Sequence, residues 1–105
     1  MAWPFSTVVA PNLDSGLTAI PTSVAAIPTV PSTSTPIWLL GASFANTGSV
    51  MRTVRITDGN DVQVVPDIEV PAKSVIPLQW AFMPLTGAKW VASGAGIVGK
   101  AWGYF

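Results

Sequence analysis

The residues able to do chemistry are few, and their spacing sets them against most catalytic arrangements. Gly94, Gly96 and Gly99 fit a G-x-G-x-x-G pattern. In a dinucleotide site that pattern opens a helix whose N-terminus meets the pyrophosphate, with an acidic residue about twenty positions on. Here six residues follow Gly99 and the segment has strand character, so a glycine-rich hairpin is expected instead. Asp58, Asn60 and Asp61 offer oxygens to a calcium ion, but the bidentate Glu and the other ligands of a calcium loop are missing. A turn closed by Asx hydrogen bonds accounts for the same three residues. Asp67 and Glu69 form a carboxylate pair two positions apart on one face of a short strand. Glycoside hydrolysis needs two carboxyl groups facing each other across the bond, so charges protecting a sheet edge are expected here. The chain has no His and no Cys. That removes Ser-His-Asp triads, thiolate nucleophiles, imidazole acid/base chemistry, disulfides and the usual zinc sites. No catalytic residue, metal ligand or cofactor is expected, and the chain reads as a non-enzyme.

The aromatic residues carry more information. Five Trp in 105 residues is a heavy load. Trp38 and Trp80 read as core. Trp90, Trp102 and Tyr104 cluster toward the C-terminal hairpin, where two readings stand. They form an exposed stacking platform for sugars, or they fill the sandwich or an oligomer interface. The second is favoured because large aromatics dominate core and interface burial. Trp3 and Phe5, with Val8 and Val9, make the start of the chain apolar. Such a segment is costly in water and makes sense as an arm docked on a neighbouring subunit.

Charge narrows the partners. Five basic and five acidic residues give zero net charge, and only Asp14 lies before Arg52. A nucleic-acid binder needs clustered Lys and Arg to displace counterions, so none is expected as a partner. The charge-free stretch from residue 15 to 51 is broken by Pro21, Pro28, Pro31 and Pro36, so no membrane span is expected. The start of the chain lacks a basic region followed by an apolar one, so it does not read as a signal peptide. Absence of Cys fits production in a reducing cytoplasm. A neutral surface is a solubility hazard for a free monomer and less of one for an assembled protein.

The elements that position these residues follow from periodicity. Residues 1–36 hold six of the ten prolines, which bars helix and allows extended or edge-strand backbone. This segment is expected to be an extended Pro/Ser/Thr-rich arm contributing one or two strands. From residue 37 to 105 a sandwich domain is expected. Ile37 to Asn46 reads as a central strand with Trp38, Leu40, Ala42 and Phe44 on one face. Val50 to Thr57 and Val62 to Val65 flank a hairpin at Asp58 to Asp61. Asp67 to Val70 is a short strand. Val75 to Phe82 has Ile76, Leu78, Trp80 and Phe82 in period two, and Pro77 marks it as an edge or as bulged. Residues 83–88 read as a loop, and Lys89 to Ser93 and Ile97 to Phe105 as the last strands. Short strands at this spacing predict an all-β fold, a small antiparallel β-sandwich of jelly-roll type. A 10.9 kDa chain buries about 65% of its extended surface, enough for one core.

The runs Trp38 to Gly48, Arg52 to Thr57 and Ile68 to Val75 resemble small accessory virion proteins of tailed bacteriophages. In those, an N-T turn and an R-T-V-x-I strand precede a V-P-A-x-S-V turn. The Gly-rich aromatic strand from Ile97 to Phe105 is similar too. The resemblance spans residues 23–105 and implies a β-sandwich on the virion, as capsid decoration, head–tail or tail component. It implies a homo-oligomer, with a trimer as the expected assembly, docked on other virion proteins after synthesis in the host cytoplasm. It supplies no catalytic residues. The alternative is a carbohydrate-binding module at a tail tip, contacting host glycans through Trp90, Trp102 or Tyr104.

Overall fold

A computed structural model describes residues 11–105. Trp3, Phe5, Val8 and Val9 lie outside the described residues. Among the described residues there is no helix, and none long and apolar enough to cross a membrane. The described residues form nine strands in chain order: β1 (Leu13–Asp14), β2 (Thr18–Ala19), β3 (Ala25–Ala26), β4 (Pro36–Asn46), β5 (Arg52–Thr57), β6 (Ile68–Val70), β7 (Val75–Thr86), β8 (Lys89–Ala92) and β9 (Ile97–Tyr104).

The pairing is nested. β5 pairs β6, β4 pairs β7, β3 pairs β8, and β1 and β2 pair β9, all antiparallel. The chain is one long hairpin folded over, and the β4–β9 and β5–β8 pairs close it into two sheets. The larger sheet has the order β1-β9-β4-β7, with β2 also on β9, and the smaller has β3-β8-β5-β6. This is jelly-roll winding, as the sequence predicts.

Residues 11–36 are part of this winding. They supply three short strands to the two sheets and bury Leu13, Ile20 and Ile27. Strands of two residues have little propensity to act alone. They are held by cross-chain bonds such as Ser15 N to Ala101 O, Ile27 N to Ala88 O and Ala92 N to Pro21 O. An arm boundary at residue 36 therefore has no counterpart in the packing of the described residues.

The core lies between the sheets. Trp90 of β8 is 1% exposed, and its ring meets Phe44 of β4 edge-on, centroids 6.4 Å apart at 67°. Gly99 makes room for that contact, since a Cβ there would sit 2.9 Å from the Phe44 ring and 2.7 Å from Ile20. The buried polar anchor is Asn46. Its Nδ2 donates to Val50 O (2.8 Å) and Val70 O (3.0 Å), its Oδ1 accepts from Gly48 N (2.9 Å), and its backbone N–H donates to Ser74 O. One side chain thus joins the end of β4 to the approach to β5 and the end of β6.

Two expectations fail at the edge of the larger sheet. β7 does not stop at Phe82 but continues through Met83 and Pro84 to Thr86. Among the described residues it pairs only with β4, so Pro77 and Pro84 remove no ladder bond on its other side. Phe82 does not share the inward face of Ile76, Leu78 and Trp80. It adopts φ +58°, the left-handed region, and turns outward, while Leu85 is buried.

Candidate functional site

The outer face of the larger sheet carries the cluster of rings. A bulge in β4 between Leu39 and Gly41 creates it. Ile37 and Leu39 point into the core before the bulge, and Ala42 and Phe44 after it. The extra residue reverses the alternation. Trp38, expected in the core beside Phe44, therefore lies on the outside and is 45% exposed. Its Cα partners are Tyr104 on β9 and Pro84 on β7. Trp102 stands two residues before Tyr104 on the same face of β9, opposite Gly41. A Cβ at Gly41 would come 2.5 Å from the Trp102 indole, so only glycine lets the ring lie flat across β4. Phe82, 55% exposed, closes the cluster, with its ring centroid 6.0 Å from that of Tyr104.

Of the three rings that the sequence offered either as a sugar platform or as core and interface filling, two share this face. Trp102 and Tyr104 are on one outer face. Trp90 is not among them, because the inward positions of β8 are Trp90 and Ala92 and both are buried. Trp38 takes its place, and Trp80 packs against the core as expected. Sequence reasoning missed Trp38 and Phe82. The available signals were Gly41 within an otherwise apolar strand, a bulge marker, and the run of apolar residues past Phe82 that breaks period two.

Charge around the rings is sparse. Asp14 is the Cα partner of Trp102, and its carboxylate lies 3.5 Å from Lys100 Nζ. Pro11, Asp14, Lys100 and Trp102 line an open hollow of about 370 Å³.

The other candidate chemistry is occupied. Asp58 Oδ1 accepts from the N–H groups of Asn60 and Val62, the expected Asx turn, and Lys89 Nζ lies 3.0 Å from Asp61. The glycine pattern leads into β9 rather than a helix, with Gly96 at φ +100°. Among the described residues no three His, Cys, Asp or Glu side chains gather as a metal site. Asp67 takes two hydrogen bonds from Arg55 (3.0 and 3.2 Å) and one from Gln63 (2.8 Å). The Arg55 hydrogen bonds hold its carboxyl below the usual carboxylate range. A lowered folded value stabilises the fold above the unfolded carboxylate range, and that contribution is lost as pH falls through the folded value. Both partners are well exposed, and exposed pairs contribute little. Asp67→Asn is therefore expected to lower the neutral-pH unfolding midpoint only slightly and to flatten the acid limb by the same small amount. Chemical denaturation across pH reads both.

Comparison with family models, with curated proteins and with solved structures finds no match to this chain.

Proposed function

We propose that this chain is a non-enzymatic structural subunit of a tailed-bacteriophage particle. It self-associates and docks on neighbouring virion subunits as a decoration, head–tail or tail component. The observation that carries the self-association is the contiguous outer face of Trp38, Phe82, Trp102 and Tyr104. Contiguous exposed apolar surface on a small domain marks an interaction site, and Trp and Tyr are the residues that anchor such interfaces. Ten charged residues in 105 do little to keep that face apart from copies of itself. The particle itself is supported by the sequence resemblance and by the jelly-roll winding, an architecture common in capsid domains.

Phe82 points the same way. A bulky residue in the left-handed region costs roughly 1–2 kcal/mol. Strain of this kind is kept where a side chain must be presented. Phe82→Gly relieves it and forfeits a half-exposed ring, so stability is expected to stay within about 1 kcal/mol of the parent. Self-association, in contrast, is expected to weaken. Sedimentation velocity over a concentration series tests the reading. The parent is expected to assemble at micromolar concentration, and Phe82→Gly combined with Trp102→Ser to weaken assembly tenfold or more. A parent that stays monomeric throughout contradicts the proposal.

A second reading has its own observation. The Trp102 indole beside the Asp14 carboxylate and the Lys100 ammonium offers a stacking surface with hydrogen-bonding groups at its rim, suited to a host-surface sugar. Quenching of tryptophan fluorescence by a host polysaccharide, lost in Trp102→Ser, supports it. Absence of quenching together with no signal on a glycan array removes it.

A further inference from the structure

We infer that the aromatic face of one copy is covered by residues 1–10 of a second copy, an exchange of arms between subunits. The inference rests on the self-associating reading and names the surface and the segment that meet.

Three observations lead to it. The point where the described chain begins is fixed. Asn12 Nδ2 donates to Phe105 O (3.1 Å), and Phe105 N donates to Asn12 Oδ1 (3.0 Å), so the side chain clamps the strand beside β9. The direction is fixed too. β1 runs antiparallel to β9, with Leu13 opposite Gly103 and Asp14 opposite Trp102. The described chain therefore begins, at Pro11, beside the Phe105 end of β9, and Pro11 lines the hollow next to Trp102. Ten residues in extended form reach about 33 Å, more than the 29 and 21 Å lesser dimensions of the sandwich. That is enough to reach a neighbour.

The chemistry of the two surfaces matches. Residues 1–10 contain Trp3, Phe5, Val8 and Val9 and no charged side chain. Trp3 and Phe5 are two positions apart, so extended backbone places both rings on one side. Trp102 and Tyr104 have the same spacing on β9, so ring can meet ring at one repeat.

The chain has no native cysteine, which makes a cross-linking test clean. Two full-length single-cysteine variants, Ser6→Cys in the arm and Gln79→Cys beside Gly41 on the outer face, are mixed and treated with a short bis-maleimide. A mixed dimer joined between those two positions is expected. Adding Trp3→Ala and Phe5→Ala is expected to cut its yield tenfold or more and to raise the assembly midpoint concentration by a similar factor. If those two substitutions leave both unchanged, the arm exchange is wrong while self-association stands. If a chain carrying both cysteines links to itself at a dilution where the mixture does not link, the arm lies on its own sheet and the exchange is wrong. If the parent is monomeric throughout, both proposals fall.

Discussion

Trp90→Ala is expected to lower the stability of the fold by about 3–5 kcal/mol, against a total of about 5–15 kcal/mol for a domain of this kind. Trp90 is 1% exposed and spans the gap between the sheets to meet Phe44. Ile56 is its Cα partner on β5, and Ile20 and Ile27, from two other segments of the chain, belong to the same buried cluster. Removing the indole leaves a cavity that these residues cannot close without dragging their strands, so both the transfer and the cavity costs apply. Urea unfolding measures the loss. Trp38→Ala is the control. On a strict alternation from Phe44 it would be equally damaging, but on the outer face it is expected to cost under about 1.5 kcal/mol. Equal losses for the two variants would mean that the bulge at Leu40 is misplaced and the outer face is not aromatic.

Asn46→Ala is expected to cost about 3 kcal/mol, because it leaves two carbonyls and one N–H without their partner in a mostly buried place. Asn46→Asp keeps the shape and the accepting oxygen but cannot donate to Val50 O or Val70 O as a carboxylate. It is expected not to rescue. Thermal unfolding of the two variants distinguishes a donor network from mere space filling, since a space-filling role predicts near-parental stability for Asn46→Asp. The site also explains why an N-T-G turn precedes β5 in this chain. Asn46 reaches forward to Val50 and Val70, and Gly48 N–H closes the turn onto it.

Most of the strands were legible because their residues alternate or run apolar between turn residues. β4, β5, β6, β8 and β9 fall within two residues of their expected limits. The hairpin at Asp58 to Asp61 forms, though beyond it only Thr57 and Gln63 bridge and Val64 N–H bonds Ile56 O. Three features were hidden for stated reasons. The short strands β1 to β3 are made by partners on β8 and β9, and local propensity does not report a partner distant in the chain. Pro84 reads as a loop residue unless the pairing of β7 is known. A bulge changes which alternate residues face inward, and no count of apolar positions reveals the extra residue. That last feature decided the site. It moved Trp38 outward, while Trp90 belonged to the inward set of β8. Trp102 and Tyr104 were found because β9 keeps unbroken alternation, with small residues Gly99, Ala101 and Gly103 inside.

The central claim is that the ring-bearing face is exposed in a free copy and covered in the assembly. Hydroxyl-radical footprinting, read by mass spectrometry at low and high protein concentration, measures that coverage side chain by side chain. The exposed Trp38 and Phe82 are predicted to oxidise readily when dilute and the half-buried Trp102 and Tyr104 more slowly, all four to be protected several-fold when concentrated, and Trp90 to be unreactive in both. Equal oxidation of the four rings at the two concentrations, under conditions where the chain has assembled, would place the interface elsewhere and contradict the account.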